Sequence, residues 1–239
     1  MELLIDNLCA RRGGRSVFDD LSLRVPAGRA LLVTGPNGAG KSTLLRVIAG
    51  FLPPATGRVA LIDRGETLSG AALQPRLAFA GHMDAVKPAL SVAENLALWA
   101  GIAGRDRDAI EPALSALGLE AMAGRPAGEC SAGQRRRLGL ARLLVAERSV
   151  WLMDEPTSSL DAGSAAAVSA LVARHCDAGG IAVIATHLDM GLHDPLRLDL
   201  IPERVAPQGG EGALDPAPKP ADADEDPFLV GPADGGAFR

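Results

Sequence analysis

An α/β fold with a parallel core sheet, an antiparallel β subdomain and a helical insert is predicted by three features of this chain. The first is the run Gly35-Pro36-Asn37-Gly38-Ala39-Gly40-Lys41-Ser42-Thr43. It lies between a strand-length apolar stretch, residues 30–34, and a segment with helically spaced apolar residues, 44–48. The second is a pair of unbroken apolar runs, Val150-Trp151-Leu152-Met153 and Ile181-Ala182-Val183-Ile184-Ala185, of the kind found in strands covered on both faces. The third is the stretch 91–148, which carries helical patterning and no strand.

Taken in order, residues 3–8 and 17–25 flank Gly13-Gly14 and read as antiparallel strands around a hairpin. In the second of them Val17, Asp19, Leu21, Leu23 and Val25 share one face, apolar apart from Asp19. Residues 57–63 read as a further strand of that sheet. Residues 35–43 fit Gly-x-x-x-x-Gly-Lys-[Ser/Thr], the phosphate-cradling P-loop, so the chain is expected to bind a nucleoside triphosphate. Glycines let the backbone approach phosphate closely, and N–H groups at a helix N-terminus supply donors and a positive dipole end. Lys41 would reach the β- and γ-phosphates, and the Ser42 hydroxyl would meet Mg²⁺.

Pro53-Pro54 marks a loop after the P-loop helix. Ser91-Val92-Ala93-Glu94 is a capping box opening a helix with Val92, Leu96 and Trp99 on one face. A second helix runs through Ile110, Ala113, Leu114 and Leu117 and stops at Gly118. The body is therefore read as residues 1–201, with a helical insert at about 88–140. From residue 202 the chain is Pro, Gly, Ala and acid, with little to bury, and reads as a disordered tail.

The chain has 239 residues, 47% of them apolar, ample for a core. Its net charge of −5 belongs to that tail, where eight acidic and three basic residues leave 21 of each sign in 1–201. No basic excess marks a nucleic-acid footprint. Three widely spaced cysteines, Cys9, Cys130 and Cys176, make neither a disulfide nor a zinc framework. No apolar run approaches 18 residues and no basic-then-apolar leader opens the chain. The expectation is a soluble protein whose membrane work is done through a partner.

Two further segments carry chemistry. Residues 150–155 are four apolar residues ending in Asp154-Glu155. A buried strand of this kind, downstream of a P-loop, can place Asp154 near the metal, which it would hold directly or through water, while Glu155 would polarise the water that attacks the γ-phosphate. Cys130-Ser131-Ala132-Gly133-Gln134 precedes Arg135-Arg136-Arg137 and a helical run. A solvated helix face suits two of those three arginines.

In these residues the chain resembles the ATP-binding subunits of ABC transporters. Residues 130–134 resemble the Leu-Ser-Gly-Gly-Gln signature, with Cys130 where Leu is usual. The order P-loop, signature, acidic strand end, Ser158-Ser159-Leu160-Asp161 and Thr186-His187 is that family's order, over roughly residues 1–201. The resemblance implies a RecA-like P-loop NTPase core, the ABC nucleotide-binding domain, with ATP and Mg²⁺ as cofactors. It also implies a head-to-tail homodimer in the ATP-bound state. Residues 35–43 would then hold the phosphates, with Ser42 and Asp154 holding the metal. Ser131, Gly133 and Gln134 would face ATP on the partner's P-loop, Asp161 would couple the two sites, and His187 would contact the γ-phosphate beside Glu155.

Two departures stand out. The Gln usual after the strand entering the helical domain is absent, and His82 or Met83 stands there. No aromatic residue for stacking on adenine occurs near Arg11 and Arg12, and the chain has no Tyr, so an Arg guanidinium could stack instead. The segment Gly81-His82, Lys87, Leu90-Ser91, Glu94-Asn95-Leu96 resembles haem exporter ATP-binding proteins, the CcmA type, as does Ser-Ala-Gly-Gln-Arg-Arg-Arg.

That resemblance implies integral-membrane Ccm-type partners (CcmB- and CcmC-like), a place on the cytoplasmic side of the bacterial inner membrane, and hydrolysis that drives release of a haem-loaded chaperone. The same motor with another cargo, such as a drug or lipid, stays open. A non-transport ABC protein fits less well, because no tandem domain, long coiled coil or basic face is present. Haem itself is not written here: there is no Cys-x-x-Cys-His, and the four histidines form no cluster. A membrane partner is expected in the groove between core and insert, lined by residues 82–95.

Overall fold

The computed structural model describes residues 1–201. The disordered-tail reading of 202–239 falls outside them. Two sheets form the body. The first is antiparallel and holds β1 (Glu2–Arg12), β2 (Arg15–Pro26), β4 (Thr56–Asp63) and β5 (Glu66–Ser69), in the order β2-β1-β4-β5. The second is parallel, in the order β6-β7-β8-β3-β9, with β3 (Ala30–Thr34), β6 (Leu77–Ala80), β7 (Val150–Asp154), β8 (Ile181–Ala185) and β9 (Leu196–Asp199).

The hairpin turns at Gly13-Gly14, both with positive φ, the geometry that matches the twist of paired strands. The single apolar face expected of β2 is not what forms. Phe18 and Val25, of opposite parity, are the buried side chains, while Leu21 and Leu23 are only half-buried. The cause is a bulge: Asp20 takes φ 53° and the β1–β2 register shifts between Ile5, Leu8 and Ala10. An extra residue in one strand moves every later side chain to the other face.

The parallel strands are clad on both sides. Leu32, Met153 and Ile184 pack against the insert and α5 (Ala162–Asp177), meeting Leu96, Leu140 and Val172. Leu31, Val33, Leu152 and Val183 pack against α1 (Lys41–Ile48) and the antiparallel sheet, meeting Leu44, Leu45, Leu3 and Leu61. Neighbouring residues of one strand thus serve two cores, which is why those runs are apolar without alternation.

The helical stretch holds α2 (Val92–Ala103), α3 (Ile110–Ala116) and α4 (Ala132–Ala146), the last running past the expected insert end at about 140. The capping box opening α2 forms in both directions, Ser91 Oγ accepting from the Glu94 N–H and Glu94 Oε2 from the Ser91 N–H. Val92 and Leu96 are buried, and Trp99 lies under the Arg142 guanidinium, 5.0 Å from ring centroid to Cζ. Burial pushes the Arg142 pKa down to about 10, with Arg136 adding to the effect and Asp84 opposing it. Among the described residues, no helix is long and apolar enough to cross a membrane.

Candidate nucleotide site

Register brings the chemistry to one edge. Val33 pairs with Ala185, and Ala185 with Asp154, so β3, β8 and β7 end level. The P-loop, Thr186-His187 and Asp154-Glu155 therefore leave the sheet side by side. Adjacent strands lie about 4.8 Å apart, which puts Val33 and Asp154 roughly 10 Å from each other.

The P-loop is built by close approach. Gly35 has φ 132°, and a Cβ there would run into the Leu200 carbonyl; Gly40 has φ 102°, and a Cβ there would strike the Val17 side chain. Neither position admits another residue. Pro36, Asn37 and Gly38 are exposed, Ala39 is buried, and Ser42 and Thr43 are half-buried. Gly40 is the N-cap of α1 and offers no side chain to its first N–H groups, which stay available to an anion. Lys41 is buried, its Nζ donating to Gly35 O at 2.7 Å and Pro36 O at 3.3 Å. Held by neutral carbonyls and by no carboxylate, the ammonium can turn to phosphate oxygens.

Asp154 is 5% exposed, and its carboxylate makes no hydrogen bond or ion pair within the described residues. Such a carboxylate suits a cation. Among the described residues no group of three or more His, Cys, Asp or Glu could hold a metal. Mg²⁺ takes one or two carboxylates and completes its shell with phosphates and water, so the Asp154 carboxylate with Ser42 is a donor set it would accept. Glu155 follows in the left-handed region, φ 48°, its N–H bonded to Ala185 O at 2.8 Å. His187 Nδ1 lies 3.1 Å from both its carboxylate oxygens. The two side chains are adjacent, and His187 remains open to solvent.

The signature residues do a second task that the sequence reading missed. Ser131 caps α4, accepting from the Gln134 N–H at 3.2 Å, while Gln134 Oε1 accepts from the Ser131 N–H at 2.8 Å. Ser-x-x-Gln is a capping box, a signal present in the sequence. Gln134 is thereby occupied, whereas the Gly133 N–H sits in the unpaired first turn of the helix. No hydrogen bond joins residues 130–134 to the P-loop among the described residues. Asp161 caps α5, accepting from the Ser164 N–H and hydroxyl, and these bonds hold its carboxyl below the ordinary range.

A solvated face suits two of the three arginines only in part: Arg135 and Arg137 are half-buried, and Arg136 is the one enclosed. Arg135 bonds the Cys130 carbonyl, Arg137 donates to Leu117 O at 2.8 Å, and Arg136 is 4% exposed. Backbone carbonyls at the ends of neighbouring elements attract all three.

The matches with known proteins follow this geometry. The ABC transporter family model matches residues 18–158. The cytochrome c biogenesis ATP-binding export protein CcmA of Roseobacter denitrificans is 47% identical over 217 residues, covering 91% of this chain and 99% of its own. The protein of that name from Ruegeria pomeroyi is 49% identical over 208 residues, covering 87% and 95%. The chain belongs to the CcmA family of ABC-transporter ATP-binding proteins. As a CcmA-family member it is an ABC-type, ATP-binding ATPase subunit. The fold agrees with a solved ABC transporter ATP-binding protein from Pyrococcus furiosus, at TM-score 0.74 and 24% identity, covering 84% of this chain and 98% of that one. A dimeric ATP-binding cassette bound to ADP and Pi also matches in fold, at TM-score 0.69 and 23% identity over 78% and 88% of the two chains.

Base recognition departs from the usual plan. Phe18, the aromatic of the first hairpin, is buried beside Gly40, and Arg11 and Arg12 are exposed. Aromatic stacking is worth about 1–3 kcal/mol per base. With no aromatic platform to grip either base and phosphate contacts common to both nucleotides, ATP and GTP are expected to bind within roughly tenfold of each other in a competition titration. A much stronger preference for ATP would mean that another group reads adenine.

Proposed function

We propose that this CcmA-family chain is the ATP-hydrolysing motor of cytochrome c maturation, acting on CcmB- and CcmC-like membrane subunits from the cytoplasmic face of the bacterial inner membrane. Hydrolysis in that setting drives release of a haem-loaded chaperone. The observation carrying the reading is identity of 46–49% to CcmA proteins along nearly their whole length. The ATPase domain is residues 1–201, with its insert at about 88–140.

In this reading the N–H groups of residues 35–43 cradle the phosphates, and Lys41 exchanges the Gly35 carbonyl for β- and γ-oxygens. Ser42 and Asp154 are the residues that would hold Mg²⁺, which when bound neutralises charge on those oxygens. Glu155 polarises the attacking water, and His187 steadies its carboxylate and meets the γ-phosphate. In a head-to-tail homodimer, Ser131 and the Gly133 N–H contact the ATP of the other subunit, and Asp161 sits at the same interface.

A cleft of about 710 Å³ between core and insert, with Phe51, Phe79, Met83, Trp99 and Ile102 among its lining, is the docking site for the membrane partner. Its lining differs from the 82–95 expectation. His82, Met83 and Ala85 face it, but Leu90 opens onto a separate shallow surface with Ala93, Glu94 and Leu98. Asn95 is buried, its amide holding the carbonyls of Lys87, Leu90 and Ser91. Phe51 and Ile102 are 61% and 65% exposed, large apolar groups left for a partner to cover.

Burying one such side chain is worth about 1.5–3 kcal/mol. Co-expression with the CcmB- and CcmC-like subunits is expected to give a complex that survives purification. Ile102→Asp is expected to weaken it at least roughly tenfold, with basal ATPase retained. Assembly with a drug or lipid permease instead, and none with the Ccm subunits, would overturn the cytochrome reading.

A further inference from the structure

Arg136 makes a set of bonds that the nucleotide site as described leaves unused. It lies on α4, the helix that Ser131 caps. Its Nη2 donates to the carbonyls of Asp154 and Glu155, each at 2.8 Å, and its Nε to that of Pro156 at 3.3 Å. Its Nη1 donates to Gly81 O at 2.7 Å and to Asp84 Oδ1 at 3.1 Å. One guanidinium thus grips three successive carbonyls of the turn that carries Glu155, and a carboxylate holds the guanidinium in place.

That turn requires holding. A residue with a side chain keeps φ near +48° only where its surroundings over-determine it. The bond from the Glu155 N–H to Ala185 secures one side of the residue. Arg136 secures its carbonyl side, where Ser158 is the other donor, at 3.1 Å. The loop supplying Gly81 and Asp84 is pressed on the same helix face: a Cβ on Gly139 would stand 2.9 Å from the Asp84 carbonyl oxygen. One turn further, Arg142 donates to Phe79 O at 2.6 Å.

We infer that Arg136 is a positioning residue for hydrolysis: from the signature helix it fixes the backbone at Glu155 so that the carboxylate is aimed. The inference rests on the reading of Glu155 as the group that polarises water. Only arginine has a planar fork of five donors able to meet these acceptors together. Five residues of helix, about 7.5 Å of rise, separate Ser131 from Arg136. One rigid element therefore runs from the group facing a partner's ATP to the group setting the protomer's own Glu155.

The test compares steady-state ATPase kinetics and the affinity for a fluorescent ATP analogue in the full-length chain and its variants. Arg136→Lys is expected to lower kcat roughly 10- to 100-fold, as small misplacements of a catalytic group do, with KM and analogue affinity within about threefold of the starting values. Asp84→Asn is expected to lower kcat about threefold or more in the same pattern. Acting only through Glu155, Arg136→Lys should add less than about twofold to the loss already caused by Glu155→Gln.

Unchanged kcat in Arg136→Lys overturns the inference. So does a double variant about tenfold slower than Glu155→Gln alone, or one that loses nucleotide, since either marks a merely structural role. If Arg136→Lys shows no cooperative melt, Asp84→Asn decides, and an unchanged kcat there overturns the inference. A Glu155→Gln protein at near wild-type rate would instead remove the reading of Glu155 beneath it.

Discussion

Glu155→Gln is expected to slow ATP hydrolysis roughly 10²–10⁴-fold while leaving ATP binding intact. Glu155 lies just past β7, level with the P-loop strand, and its carboxylate stands 3.1 Å from His187 Nδ1. Glutamine keeps the shape and can still bond the imidazole. What it loses is the charge that, in the proposed role, draws a proton from water as the γ-phosphate is attacked. Because the P-loop and Asp154 are untouched, nucleotide affinity should stay within about threefold. With hydrolysis stopped, the ATP-bound homodimer should accumulate. Phosphate release measures the first effect and light scattering with and without ATP the second. A variant that hydrolyses ATP at close to the starting rate would exclude Glu155 from this role.

Lys41→Ala is expected to weaken ATP binding about 10²–10³-fold, and hydrolysis falls with it. Lys41 is 8% exposed, and its Nζ now rests on two loop carbonyls. Truncating one partner of a buried, hydrogen-bonded charge pair costs roughly 2–5 kcal/mol. The N–H donors of the loop would remain, so some phosphate affinity persists. The thermal midpoint should move little, because the Gly35 and Pro36 carbonyls can accept water in place of the ammonium. Calorimetric titration with ATP reads the affinity. A dissociation constant within about threefold of wild type would show that the phosphates are held by other groups.

Local sequence encodes some parts of this molecule far more plainly than others. The P-loop could be read because its chemistry is local: glycines, Lys41 and Ser42 act within one turn between a strand and a helix. The capping box at Ser91 and the doubly covered strands β7 and β8 were readable for the same reason. Other features depend on distant chain segments. The bulge at Asp20 is set by pairing with β1, and it brings Phe18, off the alternating face, into the core alongside Val25. β9 is four residues long, and its pairing with β3 joins segments far apart in sequence. Which of the three arginines is buried cannot be read locally, because the acceptors of Arg136 lie some 20 and 55 residues away.

By itself the sequence determined the residue types that can cradle phosphate, hold a metal and polarise water, and the order in which they occur. It also determined the family, since 47% identity extends over most of the chain. Tertiary structure alone decided which of these groups stand together: the level ends of β3, β8 and β7, the Glu155–His187 pair, the cleft opened by Phe51 and Ile102, and the burial of Arg136. Spacing along a chain constrains neighbours within a helical turn or a hairpin. Contacts between separate strands, helices and loops follow from how two hydrophobic cores close around one sheet, and no local pattern encodes that closure.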